Sequence, residues 1–182
     1  MSETCDTVPV LRDRVTGPFY QLELFVSREA CVTRTEQGYD TTEMTAFARF
    51  TNTGGAPVEL TDVSTGTLQF RQLWDSFAPD EPEAMPGGPV DPAGVQTQQV
   101  AIAPGEARDS VPVQAFLALA SSDIKKGRSL SGAPLAPEAE NPRSFGLGFV
   151  FTAQVFANGA SQVVSHPLAG EILVRIDRSA PE

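Results

Sequence analysis

The sequence predicts an all-β protein, an antiparallel β-sandwich. Three observations carry that expectation. Apolar and polar residues alternate over short runs, as in Tyr20, Leu22, Leu24 and Val26 set against Gln21, Glu23 and Ser27. Turn-forming clusters interrupt these runs every 8 to 12 residues or so. Asn158-Gly159 is the dipeptide of a two-residue type I′ hairpin. With 182 residues, 41% hydrophobic and 20% charged, the chain is an ordinary globular one, long enough to bury a core.

Met1 to about Pro18 reads as an arm, closed by the turn signal Gly17-Pro18. A first strand runs through Tyr20–Val26 and continues or re-forms at Ala30-Cys31-Val32. After a turn at Gln37–Asp40 comes Glu43–Phe50, with Met44, Ala46, Ala48 and Phe50 on one face. Asn52-Thr53-Gly54-Gly55 is then expected to turn the chain into a hairpin partner beginning at Val58 and Leu60, interrupted at Ser64–Gly66 and resumed at Leu68 and Phe70.

Residues 71–94 form a first long loop insertion, crowded with proline and carrying Asp75, Asp80, Glu81 and Glu83. Loops of that length without their own structure are usually functional or mobile. Trp74, Phe77, Asp80 and Glu81 are therefore the candidate partner contacts; equally, the two rings fold back to cap the sandwich end. A second hairpin is expected from Gln96–Ile102 and Ala107–Val113 around the turn Ala103-Pro104-Gly105-Glu106. Gln114–Lys126 is the single short helix, with Phe116, Leu117, Ala120 and Ile124 near one face. A second loop insertion covers residues 127–142. The clearest strand, Ser144–Phe156, alternates Phe145, Leu147, Phe149, Phe151, Ala153 and Val155; Ser161–Ser165 returns and Glu171–Ile176 closes the chain. Residues 19–178 thus make one domain behind the 1–18 arm.

Composition narrows the chemistry. A net charge of −10 disfavours nucleic acid and anionic membranes, since phosphate neutralisation needs clustered Lys and Arg, and only Lys125, Lys126 and Arg128 cluster. No apolar run reaches the roughly 18 to 20 residues of a membrane span. The start, MSETCDTVPVLRDR, lacks a basic segment followed by an apolar one, so no signal peptide is expected in this sequence, which leaves a cytosolic protein or a mature exported form. One histidine, His166, cannot build a type 1 copper site, which needs two, nor complete a zinc site with two separated cysteines. His166 before Pro167 reads as a surface or strand-end residue, and no GxSxG accompanies it. Gly146-Leu147-Gly148 lies within a strand pattern, which suits close packing or a bulge better than phosphate. The Asp75–Glu83 acids match no calcium loop. Cys5 and Cys31 are either disulfide partners or unpaired. The expectation is no enzyme, no cofactor and no metal.

Taken in order, Phe50–Phe70 (FTNTGGAPVELTDVSTGTLQF), Ile102–Val113 (IAPGEARDSVPV), Ser121–Ile124 (SSDI) and Ser144–Phe151 (SFGLGFVF) resemble one family. The similarity is to the C-terminal cupredoxin-like domain in the cupredoxin-containing subunit of the copper membrane monooxygenases, the particulate methane and ammonia monooxygenases. The resemblance covers roughly Phe19 to Ile176. It implies a Greek-key, cupredoxin- or immunoglobulin-like sandwich with a periplasmic or otherwise extracytoplasmic location. It also implies a non-catalytic accessory role, docking on protein partners in a larger membrane-associated complex. That family's copper-binding histidines belong to its N-terminal cupredoxin domain, and neither that domain nor the two membrane helices have a counterpart here, so no metal ligand carries over. Two other readings compete. The acidic surface and proline-rich loops suit a structural or accessory protein of a particle such as a virion, cytoplasmic or virion-borne. Trp74 and Phe77 suit a carbohydrate- or other ligand-binding sandwich.

Overall fold

The computed structural model describes residues 5–35, 38–41, 43–61, 67–75, 100–110, 112–116 and 143–176. In chain order the strands are β1 (Pro9–Thr16), β2 (Tyr20–Ser27), β3 (Glu29–Thr35), β4 (Gly38–Thr41), β5 (Glu43–Asn52), β6 (Val58–Thr61), β7 (Thr67–Asp75), β8 (Val100–Ile102), β9 (Ala107–Asp109), β10 (Val113–Phe116), β11 (Arg143–Ala157) and β12 (Ala160–Ile176). The first sheet has the order β1-β2-β5-β10, with β9 also on β5. The second has the order β4-β3-β12-β11-β6-β8, with β7 also on β11. The all-β expectation holds among the described residues, and the two sheets pack in a sandwich-like manner.

Period-two patterning places the core. Leu22, Leu24, Val26, Met44, Ala46, Ala48 and Phe50 project from the first sheet and are fully buried; Leu60, Ile102, Phe151, Val155 and Ile172 meet them from the second. Each such Leu, Ile or Phe contributes about 1.5–3 kcal/mol of burial. The chain passes between sheets at Arg28. β2 pairs antiparallel with β5, whereas β3 pairs parallel with β12, Glu29–Val32 alongside Leu173–Ile176. At this switch the Ser27 hydroxyl accepts the Thr45 N–H (2.9 Å), and the Arg28 carbonyl accepts the Leu173 N–H (3.1 Å).

Both expected hairpins, at Asn52–Gly55 and Ala103–Glu106, are instead crossings between the sheets. β5 lies in the first sheet and β6 in the second; β8 pairs with β6, and β9 with β5. Asn52 explains why. Its buried side chain donates to the carbonyls of Ala56 (2.9 Å) and Ile102 (3.0 Å) and accepts the Gly54 N–H (2.9 Å). Its own N–H donates to the Glu106 carbonyl, and its own carbonyl accepts the Gly105 N–H. One residue thus satisfies both crossings, and no ladder between the flanking strands is needed.

Other expectations are corrected in part. Pro9–Thr16, expected in the arm, is an edge strand on β2, with a bulge at Arg12 between Leu11 and Asp13. Residues 71–75, expected in the first loop, continue β7 along β11. The rest of the 71–94 insertion and the whole of 127–142 lie outside the described residues. Of the helix at Gln114–Lys126, Gln114–Phe116 belong to β10 and pair with β5, and the remainder lies outside the described residues. The two short closing strands are one, β12, continuous through Pro167. Proline is tolerated there because its nitrogen lies on the same side as the N–H of Ala169, which points away from β11 to the Asp13 carboxylate (2.8 Å).

Candidate functional site

The outer face of the first sheet is built by the residues that alternate with the core positions of β1, β2, β5 and β9. Two cross-strand rows stand out. In one, Arg14 pairs in register with Glu23, Glu23 with Arg49, and Arg49 with Asp109, a ladder of alternating sign across four strands. Its ion pairs are Arg14 to Glu23 (2.6 Å) and Arg49 to Asp109 (2.7 Å). The Asp109 hydrogen bond, and more weakly the Asp109 and Glu23 charges, hold the Arg49 guanidinium above its ordinary pKa.

The neighbouring row is apolar: Leu11 pairs with Phe25, and Phe25 with Phe47. The Phe25 and Phe47 rings stack with centroids 5.0 Å apart, and the Arg49 guanidinium lies 4.9 Å from the Phe25 centroid. Leu11 is 44% exposed and both rings are half-buried. Aromatic residues and Arg are the types enriched at protein interfaces relative to the rest of a protein surface.

A second polar group ties the N-terminal segment to the switch between the sheets. Cys5 and Cys31 form a disulfide, the first of the two alternatives open from the sequence. Glu29, 8% exposed, accepts from Arg175 (2.9 Å) and from the Asp6 N–H (3.2 Å), while Arg28 pairs with Asp6 (2.9 Å). The Arg175 hydrogen bond is the main reason the Glu29 carboxyl sits below its ordinary pKa; burial opposes it. The cysteine sulfurs and a Glu29 oxygen lie within 4.8 Å of one another, the one metal-like grouping among the described residues. The sulfurs are bonded to each other, and Glu29 is engaged by Arg175 and Asp6.

His166 is neither at a strand end nor free on the surface. It is half-buried in the middle of β12, and its Nε2 lies 2.5 Å from the Tyr20 hydroxyl, joining the two sheets. Tyr20 stacks on Phe50 (5.3 Å) and covers Gly17, where an added Cβ would collide with the ring. Burial raises the Tyr20 pKa.

Of the contacts expected from the sequence, Trp74 has its backbone in β7 opposite Gly146; Phe77, Asp80 and Glu81 lie outside the described residues. The apolar row is signalled in the sequence only by Phe25 and Phe47, large apolar residues at positions whose alternation is otherwise polar. Among the described residues no helix is long and apolar enough to cross a membrane.

No protein-family model matches the chain, and no curated protein does. Among solved structures it is similar to a Bordetella pertussis protein given the name ApaA (16% identity, 88% of this chain and 97% of that one, TM-score 0.37). It is also similar to a protein from Archaeoglobus fulgidus (10% identity, 90% of this chain and 97% of that one, TM-score 0.31). At these TM-scores neither likeness bears on what the chain does.

Proposed function

We propose that the chain is a non-catalytic docking module: a Greek-key, cupredoxin- or immunoglobulin-like sandwich that joins a larger extracytoplasmic assembly, as the resemblance to the cupredoxin-containing monooxygenase subunit implies. The observation that carries the docking role is the outer face of the first sheet, where Leu11, Phe25 and Phe47 lie beside the Arg14–Glu23–Arg49–Asp109 ladder. The strand order, with consecutive strands repeatedly divided between the sheets, supports the Greek-key connectivity. The Cys5–Cys31 bond supports an oxidising compartment. Among the described residues, His166 contacts Tyr20 and Glu29 bonds Arg175, contacts that support a part for these groups in the frame.

The test is to isolate the chain from its native source without denaturation, then repeat with Phe47→Asp. The wild-type chain is expected in a complex heavier than its own 19.4 kDa, and the variant is expected to be released while remaining folded by circular dichroism. Isolation of the wild type as a lone monomer carrying stoichiometric copper would overturn the reading.

A further inference from the structure

We propose that a second copy of this chain docks on the outer face of the first sheet, sheet against sheet, about a two-fold axis. This rests on reading that face as the docking surface and adds the identity of the partner.

Symmetry and charge carry the inference. Across β1, β2, β5 and β9 the row reads Arg14, Glu23, Arg49, Asp109: plus, minus, plus, minus. Consider a two-fold axis lying in the interface, parallel to the strands and passing between β2 and β5. It reverses the order of the row and keeps its level along the strands. Arg14 then faces Asp109 of the second copy, and Glu23 faces Arg49 of the second copy. Every opposed pair has opposite sign. A row with like charges at its two ends would meet itself in repulsion. This is the self-complementarity that an isologous interface requires.

The adjacent row obeys the same operation. Phe25 of one copy meets Phe47 of the other, so the two stacked pairs close into a four-ring cluster with Leu11 at its rim. Apolar faces apolar, and charge faces charge, with no shift along the strands. Three of the four residues of the ladder also have accessible surface for a second partner: the Arg14, Arg49 and Asp109 side chains are 54%, 38% and 45% exposed, against 13% for Glu23. Sheets packed face to face sit about 10 Å apart, a gap that opposed Arg and Asp side chains span.

Size sets the expected strength. Four strands about 4.8 Å apart, crossed by three outward rows, offer roughly 300–400 Å² per copy. That is well short of the ~800 Å² per partner of a standard interface. The dimer is therefore concentration-dependent and weakened by salt, because its rim is ionic.

The experiment is sedimentation equilibrium of the full, oxidised chain from about 1 μM to about 1 mM, a range matched to weak interfaces of this size. The mass is expected to rise with concentration from 19.4 kDa toward twice that value, and the transition to move to higher concentration as salt increases. Phe47→Asp is expected to abolish it. Two charge variants give the sharper readout. The double variant Arg14→Glu/Arg49→Glu has an all-acidic row, and Glu23→Lys/Asp109→Lys an all-basic one. Each alone is expected to stay monomeric, and an equimolar mixture to form a heterodimer. If either double variant fails to fold by circular dichroism, the salt dependence and Phe47→Asp decide. A wild-type chain that is monomeric at every concentration, or a dimer indifferent to both Phe47→Asp and salt, overturns the proposal. If the wild type is monomeric but Phe47→Asp still releases the chain from its native complex, the docking surface stands and the self-partner falls.

Discussion

Asn52 bonds to both crossings between the sheets from a fully buried position. Its amide orientation follows from its partners: nitrogen faces the Ala56 and Ile102 carbonyls, and oxygen faces the Gly54 N–H. Asn52→Ala removes three bonds from a fully buried site and is expected to cost about 2–4 kcal/mol in urea unfolding. Asn52→Asp nearly preserves shape and is expected to cost more at pH 7, because a carboxylate would face two carbonyls. Protonation restores a donor, so the folded-state pKa of the introduced carboxyl lies above its unfolded value. The variant should therefore regain stability as pH falls toward about 4; a gap to wild type that is independent of pH would contradict this account. Glu29 works in the opposite sense. Its carboxyl is held below its ordinary value chiefly by Arg175, so its contribution is present above about pH 4.5 and is lost as pH falls through the depressed folded-state value. Glu29→Gln is expected to destabilise by about 2 kcal/mol at neutral pH. Its gap to wild type should narrow in acid, measured by urea midpoints between about pH 3 and 7.

Among the elements, turns were legible and their partners were not. Asn158 and Gly159 have φ of 52° and 79°, and Ala157 pairs with Ala160, so the hairpin follows directly from the dipeptide. Pro104-Gly105 is equally local: Gly105 has φ 81°, and the Glu106 N–H bonds the Ala103 carbonyl, a type II turn. Yet the strands beside it belong to different sheets. Turn residues fix backbone direction over four positions, whereas the choice between hairpin and crossing depends on Asn52, whose amide reaches Ile102 across 50 residues of sequence. Alternation likewise identified the inward residues of β2, β5 and β11 without saying which sheet would hold them. The candidate docking face was less legible still. Lining up Arg14 with Glu23 requires β1 to be a strand with a bulge at Arg12, and its mixed sequence, Pro9–Thr16, hides that. The N-terminal element also has its own expected behaviour. Cys5–Cys31 closes a separation of 26 residues, for which the chain-entropy relation gives about 3.5 kcal/mol. Reduction, or the pair Cys5→Ser/Cys31→Ser, should lower stability by about 2–4 kcal/mol. Amide exchange should accelerate first in residues 5–11, ahead of β2; unchanged exchange there would show that β1 is held by its ladder alone.

At the scale of the molecule, the two sheets share one core rather than each owning one. Leu22, Leu24, Met44 and Phe50 of the first sheet belong to the same buried cluster as Leu60, Ile102, Phe149, Phe151 and Ile172 of the second. Three further links cross the same gap: the Asn52 bond to Ile102, the Tyr20–His166 contact, and the bond from Ala169 to Asp13. Neither sheet can leave the other without exposing its own inner face, and at about 25 cal/mol per Å² such exposure is worth more than the net stability of a domain this size. The sheets are therefore expected to unfold together. Trp74 is the chain's single tryptophan and has its backbone in the second sheet, whereas far-UV circular dichroism reports both. Urea transitions followed by the two signals should coincide in midpoint and slope for the oxidised chain. Tyr20→Phe, which removes one cross-sheet bond and keeps the ring against Gly17 and Phe50, should lower both midpoints equally, by the equivalent of about 1 kcal/mol of stability. If the tryptophan signal were lost before the circular dichroism signal, the sheets would be separate cooperative units. The outer face of the first sheet would then no longer be backed by a rigid second layer, and its suitability for docking would have to come from elsewhere.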